Sequence, residues 1–372
     1  MSKKIKVCHF TSVHKANDVR IFLKECVSLA AAGYEVSLVA PACKTEEING
    51  VRIIGVDVPA EGRISRMLKT SKKVFERALI VDADIYHFHD PELLQFALRL
   101  KRKEKKVVYD AHEDLPKQIL GKFWINSALR PIIAGLVRIY ENYIAARLTY
   151  IITATPAIRD RFKKINPSCI DINNFPLADE LASHTPWANK KNEVCYIGGI
   201  SEIRGAKQIV KAMQFTNNIT LNLAGTISPL ALHTSLKEIP SWNKVTYAGF
   251  VDRKQAGEIM SRSKAGLVTF MPLPNHVDAQ PNKMFEYMSA GIPIIASYFP
   301  LWKEIVEGNK CGICVNPEEP EEISKAIGHL LSNDAEAEQM GKNGREAVVK
   351  KYNWEVEKKK LIDLYSHIAS LK

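Results

Sequence analysis

The feature that most constrains the fold is an alternation of strand-like and helix-like segments that runs twice along the chain. Short apolar runs indicate a first series of strands at residues 4–11, 34–40, 51–58, 85–88, 106–111 and 149–154. They indicate a second series at residues 193–197, 219–224, 244–250, 265–270 and 294–296. Strands that alternate with helices usually form a parallel sheet with both faces covered. The sequence therefore predicts an α/β protein with two Rossmann-like domains.

A polar stretch separates the two series. Residues 178–192 include Pro186 and several charges and show no clear periodicity, which is typical of a linker. A second break, near residues 352–354, divides the helical tail. We therefore expect an N-terminal domain at 1–177, a linker at 178–192, a C-terminal domain at 193–354 and a terminal helix at 355–372.

A loop, a short helix and a strand are predicted between Asp278 and Ala296. Pro281 suits the first helical position, because its φ is fixed and it lacks the N–H that would be unpaired there. Gly291 fits the left-handed conformation that commonly follows a helix. Asp278 before the helix and Glu286 within it are placed to approach one ligand from two sides.

Two further patterns predict a phosphate site in the second domain. Lys283 falls in the first turn of the predicted helix, where a cation opposes the helix dipole unless an anion also binds there. A turn after the strand at 193–197 contains Gly198 and Gly199, whose backbone amides can approach phosphate oxygens. Arg204 follows, and its guanidinium can bind phosphate through two hydrogen bonds.

The spacing of Asp278 and Glu286, with seven residues between them, resembles the donor-site signature of family 4 of the retaining glycosyltransferases. The surrounding Pro-Asn-Lys-x-Phe-Glu-Tyr-Met segment is similar to a bacterial surface-polysaccharide branch of that family. The resemblance implies that Asp278 contacts the donor sugar and takes part in catalysis. It implies that Glu286 contacts the nucleotide ribose.

The turn with two glycines resembles the loop that holds the donor diphosphate in the same family. Arg204 stands at the position of the family's lysine. Gly199 stands where the family usually has arginine, so one expected cation is missing. Lys283 and Lys207 are the candidates to replace it, although Lys207 equally fits a solvent-facing position.

The resemblance implies the GT-B fold, in which two Rossmann-like domains face each other across a cleft and the last helix crosses back to the first domain. The implied reaction moves a sugar from a UDP- or GDP-linked donor to a hydroxyl of a glycan or lipid-linked acceptor, with retention of anomeric configuration. The implied setting is bacterial surface-polysaccharide synthesis. Helix dipoles and cations hold the diphosphate in this fold, so we expect neither a metal ion nor another cofactor.

Several polar side chains follow strands of the first domain, at the edge where ligands gather in open α/β sheets. His112 follows the strand at 106–111 and resembles the family's cleft histidine, which contacts the donor sugar; we therefore predict a catalytic role for it. Glu113 comes next, and His14, Asp18 and Arg20 occupy the loop after the first strand. We predict these four as acceptor-side residues. Asp18 fits equally well as the cap of the following helix.

His87 and His89 project on one face of a strand and suggest a metal site, but the sequence favours a different interpretation. We expect both histidines to line the ligand cleft and Asp90 to cap the following helix.

The seven cysteines form no even framework, so buried reduced thiols are expected, including Cys8 and Cys195.

The net charge of +11 is unevenly distributed. Residues 1–180 contain 29 Lys and Arg against 21 Asp and Glu, which suits an anionic partner.

The helical region 115–148 mixes apolar, aromatic and basic residues, as a membrane-surface helix does, although a helix pair covering the sheet is favoured. No apolar run approaches the length of about 18 residues that spans a bilayer. We expect a cytoplasmic protein, with peripheral membrane contact and the oligomeric state left open.

Other functional classes fit less well. The chain has neither the GxGxxG of a dinucleotide-binding site nor the GxxxxGK[ST] of a P-loop NTPase, and no nucleic-acid recognition motif. Two alternatives remain open. One is a nucleotide-sugar 2-epimerase of the same fold, and the other is a protein that binds the nucleotide without turnover.

Overall fold

The computed structural model describes residues 4–58, 62, 65–122, 124–181 and 185–371. The chain divides into two compact units, one formed by Met1–Asn174 with Glu355–Lys372 and the other by Phe175–Trp354. Each unit has a sheet of its own flanked by helices, which confirms the predicted α/β class. No described helix combines the length and the apolar character needed to cross a membrane.

The first unit contains an eight-stranded sheet. Its strands are β1 (Lys6–Phe10), β2 (Glu35–Pro41), β3 (Glu46–Ile48), β4 (Val51–Val56), β5 (Ile85–Phe88), β6 (Lys106–Ala111), β7 (Tyr150–Thr153) and β8 (Cys169–Asp171). The strand order is β3-β4-β2-β1-β5-β6-β7-β8, and every neighbouring pair is parallel except β3 with β4. The sequence did not predict β3 and β8, because strands of three residues carry too little alternation to be recognised.

The helices of the first unit mostly follow the predicted positions. Three of them begin with a short segment of another helical type: π-helical Val19–Cys26 continues into α1 (Val27–Ala31), π-helical Arg66–Thr70 into α2 (Ser71–Ile80), and the 3-10 turn Pro91–Leu93 into α3 (Leu94–Arg102). The other three are α4 (Leu115–Leu120), α5 (Arg130–Ala145) and α6 (Pro156–Lys163). The helical region predicted at 115–148 is interrupted, because Pro131 suits a helix start and not a helix interior. The C-terminal helix (Trp354–Ser370) packs on this unit and buries Tyr365, as the fold class requires.

The second unit contains a parallel six-stranded sheet. Its strands are β9 (Glu193–Ile197), β10 (Thr220–Ala224), β11 (Val245–Gly249), β12 (Ala265–Val268), β13 (Ile294–Ser297) and β14 (Gly312–Val315), in the order β11-β10-β9-β12-β13-β14. Its α-helices are α7 (Ala206–Ala212), α8 (Leu230–Lys237), α9 (Arg253–Arg262), α10 (Asn282–Ser289), α11 (Pro300–Val306), α12 (Pro320–Ser332) and α13 (Asp334–Lys350). The described part of the unit also contains four 3-10 turns, Trp187–Asn189, Glu202–Arg204, Met213–Phe215 and Pro240–Lys244.

The segment predicted as a linker lies within the second unit wherever it is described. Leu181 is buried in the hydrophobic core beside Phe175. Arg345 of α13 donates a hydrogen bond to the carbonyl of Ala178. The described residues of 178–192 therefore belong to the second unit.

The strand order places a ligand-binding edge in each sheet. The order reverses between β1 and β5 in the first sheet and between β9 and β12 in the second. Ligands of open α/β sheets bind outside the carboxyl ends of the strands at such a reversal. The loops after these four strands contain most of the predicted site residues.

The seven cysteines are free; Cys43 and Cys314 are half-buried and the others buried.

Candidate active site

The turn after β9 brings the backbone close to a buried cation. Gly198 has a φ of 111°, in the region that favours glycine, and its N–H donates to the carbonyl of Ala224 at 2.8 Å. A Cβ atom at Gly198 would lie 3.6 Å from the Nζ of Lys283. The structure therefore brings together the glycine turn and the lysine that the sequence predicted separately.

Arg204 folds back onto the same turn. Its Nη1 donates to the carbonyl of Gly199 at 3.2 Å, and its guanidinium carbon lies 5.6 Å from the centre of the Phe270 ring. A Cβ atom at Gly199 would come within 2.6 Å of this Nη1. Glycine at position 199 thus leaves the space that the guanidinium occupies.

The side chain of Lys283 is buried without an anionic partner. Lys283 is 7% exposed, and its Nζ has no hydrogen-bond partner among the described residues. The Nζ lies 3.4 Å from the centre of the Tyr196 ring. Burial, and then the charge of Arg204, lower the pKa of Lys283 well below its usual range, and the charge of Glu286 only partly opposes this. The site therefore contains a buried lysine whose ammonium form an added anion would stabilise.

The helix that carries Lys283 begins one residue later than predicted. Pro281 has φ −68° and ψ 129°, so it precedes the helix and α10 starts at Asn282. No side chain caps this helix start, which leaves its first N–H groups available to a ligand. Gly291 has a φ of 68° and confirms the left-handed residue predicted after the helix.

Glu286 is paired with an arginine that the sequence did not reveal. Its Oε1 accepts a hydrogen bond from Nη1 of Arg253 at 2.6 Å, and Arg253 also donates two hydrogen bonds of 2.8 Å to Glu180. Burial alone would lower the pKa of Arg253, but the hydrogen bonds with Glu180 and the charge of Glu286 raise it. Arg253 is the first residue of α9 and resembles an ordinary surface residue in the sequence.

The other two predicted residues of this unit differ in their surroundings. Asp278 is half-buried in the loop before α10, as predicted. Lys207 forms an ion pair with Glu202 at 2.9 Å. Lys207 is therefore already paired, whereas Lys283 lies beside the glycine turn without a hydrogen-bond partner among the described residues.

In the first unit, His14 and His112 meet at the carboxyl edge of the sheet. Their ring centroids are 5.1 Å apart, and both side chains are partly exposed. Nε2 of His112 lies 2.9 Å from Oδ2 of Asp110, and Nδ1 of His14 lies 3.0 Å from Oδ1 of Asp90. Each histidine is thus oriented by a buried carboxylate, and the pair offers two imidazole groups to a ligand.

His14 and Asp90 each favour the charged form of the other. Burial alone would lower the pKa of His14, but its hydrogen bond with Asp90 and the nearby carboxylate charges raise it. Burial alone would raise the pKa of Asp90, but the hydrogen bonds from His14, Thr11 and Ser12 lower it to about 2. The acid is therefore ionised at neutral pH.

The structure corrects two of the predicted acceptor-side residues. Arg20 is buried, with Nε and Nη2 donating to Asp110 at 2.9 and 2.8 Å and Nη1 donating to Ile172, so it orients Asp110 and has no free face for an acceptor. Asp18 accepts hydrogen bonds from the N–H groups of Arg20 and Ile21, which is the capping role left open above. Glu113 is exposed and accepts a hydrogen bond from Gln118, so it remains an acceptor-side prediction.

The structure also corrects the interpretation of His87 in β5 and of His89, which follows that strand. Both histidines are buried inside the unit and do not line a ligand-binding edge. The carboxylate of Asp90 does not cap the turn that follows it; its Oδ2 accepts from the hydroxyl of Thr11 at 2.7 Å and from the N–H of Ser12 at 2.6 Å. Asp90 therefore ties β5 to the loop after β1.

Comparison with known proteins identifies both parts of the chain. Residues 20–172 match the family described as Glycosyltransferase Family 4, and residues 178–347 match the family described as Glycosyl transferases group 1. Over 364 residues the chain is 22% identical to phosphatidyl-myo-inositol mannosyltransferase of Mycobacterium leprae, an alignment that covers 92% of this chain and 90% of that protein.

Solved structures share the fold over nearly the whole length. Sucrose-phosphate synthase from Thermosynechococcus elongatus matches with a TM-score of 0.80 at 17% identity and covers 99% of this chain and 100% of its own. Anabaena HepE in complex with UDP matches with a TM-score of 0.73 at 14% identity, and the match covers 98% of this chain and 100% of the HepE chain. The two sequence matches together cover most of the chain, which therefore belongs to family 4 of the glycosyltransferases and has the GT-B fold.

Proposed function

We propose that this glycosyltransferase uses a UDP- or GDP-linked sugar as donor and retains the anomeric configuration. The observation that carries the proposal is the buried Nζ of Lys283, which has no hydrogen-bond partner among the described residues. A buried charge without a partner costs several kcal/mol, on the order of 3–5 when a partner is removed. A nucleotide diphosphate supplies the missing negative charge. HepE, which shares the fold, has been seen in complex with UDP and with UDP-glucose.

Each donor-side residue has a proposed part in binding. Lys283, Arg204 and the turn at Gly198 and Gly199 hold the diphosphate. Glu286 binds the ribose hydroxyls, and Arg253 holds its carboxylate in place through the 2.6 Å hydrogen bond. These cations perform the work that a divalent ion does in other nucleotide-sugar enzymes, so we propose that transfer needs neither a metal ion nor another cofactor.

The proposed reaction breaks the bond between the anomeric carbon and the diphosphate oxygen. Lys283 and Arg204 stabilise the negative charge that develops on the departing diphosphate. The acceptor hydroxyl attacks the anomeric carbon on the same face, and its proton passes to a phosphate oxygen of the leaving group. Asp278 and His112 contact and orient the donor sugar. Asp110 fixes the ring of His112 through the 2.9 Å contact.

We propose a lipid-linked acceptor of surface-polysaccharide synthesis, reached by peripheral contact with the membrane. Helix α5 buries Ala134 and Ile144 within the unit but exposes a row of large apolar side chains on its other side. This row, called here the α5 apolar face, comprises Leu129, Ile132, Leu136, Ile139, Tyr140 and Tyr143. Exposed Arg147, whose guanidinium carbon lies 3.8 Å from the centre of the Tyr143 ring, accompanies it and suits an anionic lipid surface. The mannosyltransferase relative is named for a lipid, phosphatidyl-myo-inositol.

Calorimetric titration of the full chain with UDP, GDP, ADP and CMP, in EDTA and then in Mg²⁺, tests the donor site. We expect one diphosphate to bind in EDTA. The Lys283→Met variant should weaken it by about 10- to 100-fold, as expected for loss of a hydrogen bond to a charged group. Lys207→Met is the matched control, since Lys207 is paired with Glu202, and it should bind like wild type. Failure of the folded protein to bind any nucleotide would overturn the proposal.

Turnover separates the remaining alternatives. Incubation of the bound nucleotide sugar with membrane extracts should yield a glycosylated lipid, and NMR of the product should show the anomeric configuration of the donor. Epimerisation of the sugar at C2 without an acceptor would identify a 2-epimerase instead. Tight nucleotide binding with neither transfer nor hydrolysis would identify a binding protein.

A further inference from the structure

The interior of the first unit contains a group of titratable side chains that the proposed transfer reaction does not use. This group, called here the histidine–glutamate cluster, consists of His9, Glu25, His87 and His89. All four side chains are buried. Each offers one nitrogen or oxygen atom, and these four atoms lie within 4.8 Å of one another.

The sheet itself brings the three histidines together. His9 of β1 is paired in register with His87 of β5. His89 follows His87 by two residues and so lies on the same face, because side chains alternate along a strand. Glu25 reaches the cluster from the π-helical segment Val19–Cys26.

Several atoms of the cluster have no hydrogen-bond partner among the described residues. They are both carboxylate oxygens of Glu25 and Nε2 of His87. Nε of Arg20 lies 3.2 Å from Oε1 of Glu25, and Nδ1 of His9 lies 3.9 Å from its Oε2. Burial and then the nearby carboxylate of Asp110 raise the pKa of Glu25. Buried polar atoms are normally paired, and an exception indicates an ordered water or an ion.

The paired nitrogens show which atoms would face an ion. Nδ1 of His9 lies 3.0 Å from Nε2 of His89. This is close to the separation of two ligand nitrogens that each lie about 2 Å from the same metal. Nδ1 of His89 lies 3.2 Å from Oδ2 of Asp110, and Nδ1 of His87 lies 2.7 Å from the hydroxyl of Tyr365.

The outer nitrogen of His9 completes this pattern. Its Nε2 lies 3.2 Å from the same Tyr365 hydroxyl. Each histidine therefore presents one nitrogen to the interior of the cluster and has an oxygen atom beside the other. Histidines that bind metals almost always have such an outer partner, which fixes the orientation of the ring.

We propose that the histidine–glutamate cluster binds one divalent transition-metal ion, Zn²⁺ being favoured by three imidazole nitrogens and one carboxylate. Four protein ligands with no access for water make a closed, structural site. The ion would join β1 and β5 directly, and Tyr365 would connect it to the C-terminal helix. The proposal does not depend on the donor site, none of whose residues belongs to the cluster.

The chemistry of the buried groups suits a ligand role. Burial lowers the pKa of His9 and of His87 well below the usual range and that of His89 to about 4. Neutral imidazole is the form that binds metals, so the direction of these shifts is compatible with the ligand geometry described above. The carboxylate of Glu25 would balance part of the charge of the ion.

Metal analysis of the full chain tests the proposal. The protein is purified from zinc-supplemented culture, separated from free metal by gel filtration and analysed by mass spectrometry, where we expect about one zinc per chain. Glu25→Gln keeps the shape of the side chain but removes its charge, and His87→Phe removes one ligand. Each should reduce bound zinc by about tenfold or more. His276→Asn, which changes a buried histidine of the second unit, should retain the wild-type content.

A measurement on wild type alone keeps the test decisive if the variants do not fold. Unfolded wild-type protein is refolded with Co²⁺, and the visible spectrum should show the absorption of a four-coordinate cobalt site. A wild-type chain that retains less than about a tenth of an equivalent of zinc and shows no cobalt spectrum would overturn the proposal. Equal zinc content in wild type and in folded Glu25→Gln and His87→Phe would also overturn it. The cluster would then be a hydrogen-bonded network without metal.

Discussion

The Nζ of Lys283 lies 3.4 Å from the centre of the Tyr196 ring, so a buried ammonium group contacts an aromatic face in place of a carboxylate. A cation on an aromatic ring gains roughly 0.5–2 kcal/mol, less than the cost of removing the charge from water. The ammonium form of Lys283 is therefore disfavoured in the protein without ligand, in line with its lowered pKa. The side chain is nevertheless already in position when a diphosphate binds.

This relationship predicts opposite effects of one substitution on stability and on binding. Lys283→Met keeps the length of the side chain and removes a buried amine that has no hydrogen-bond partner among the described residues, so it should raise the free energy of unfolding by about 1–3 kcal/mol. Urea unfolding without nucleotide measures this change. The same variant should bind the nucleotide diphosphate more weakly than wild type. A variant that is less stable than wild type would show that the ammonium group is already satisfied in the free protein.

The contact between Glu286 and Arg253 predicts how the ribose is recognised. If Glu286 binds the ribose hydroxyls, wild type should bind the ribonucleotide more tightly than its 2′-deoxy analogue, by about tenfold for one hydrogen bond to a charged group. Glu286→Gln should bring this ratio close to one, because its amide is a weaker acceptor. Glu202→Gln, at an exposed acid paired with Lys207, is the matched control and should keep the wild-type ratio. An unchanged ratio in Glu286→Gln would leave Glu286 with only the structural pairing to Arg253.

The sequence predicted the parts of the site that depend on local order along the chain. The glycine turn follows β9 and Lys283 lies in the first turn of α10, so strand ends and helix starts were enough to place both. Pro281 was misplaced by one residue, because its fixed φ is compatible with the first helical position and with the one before it. Helix boundaries are uncertain by this amount in general.

The sequence did not reveal contacts that depend on the register of distant strands. His9 lies opposite His87 because β1 pairs with β5, and these strands are separated by three others along the chain. Arg20 was taken for an acceptor-side residue because it follows a strand end, whereas its bidentate bond to Asp110 requires that β6 lie near the helix that starts at Val19. Only the three-dimensional arrangement shows which charged residues are buried.

The carboxylate of Asp90 predicts a specific loss of stability in acid. Its pKa is lowered to about 2 in the folded protein, so its contribution is complete above the ordinary pKa of an aspartate and is lost as the pH falls through about 2. A shift of this size corresponds to about 2 kcal/mol. Asp90→Asn should therefore lower the free energy of unfolding by about 2 kcal/mol at pH 7, and the difference from wild type should shrink below about pH 4.

Urea unfolding between pH 7 and pH 2.5 measures this difference directly. Asp82→Asn, at an exposed acid of the same unit, is the control and should differ from wild type by less than about 0.5 kcal/mol at every pH. His14 shares the interaction with Asp90, and its raised pKa means that its share is complete below the ordinary histidine pKa and declines as the pH rises through the folded value. A constant difference between Asp90→Asn and wild type over the whole range would contradict an ionised, hydrogen-bonded Asp90.

The α5 apolar face predicts binding to anionic membranes. Ile132, Leu136 and Ile139 are 59%, 63% and 65% exposed, and transfer of such a side chain out of water is worth about 1–2 kcal/mol. Replacing all three by serine should reduce sedimentation with phosphatidylglycerol-containing vesicles by at least about tenfold. Leu230→Ser changes an apolar side chain of the second unit that is 79% exposed and should bind like wild type.

Salt and lipid charge separate the two contributions to this binding. Arg147 beside the face and the other basic residues of this unit should make binding by wild type weaker at high salt and weaker still on vesicles of phosphatidylcholine alone, because attraction to anionic lipid is screened within a Debye length. The triple serine variant should bind the vesicles more weakly than wild type at every salt concentration but should keep the same dependence on salt, since its basic residues are unchanged. Equal binding of wild type to neutral and anionic vesicles would mean that the apolar side chains act alone. No binding of wild type to any vesicle would contradict the membrane proposal and favour an acceptor in solution.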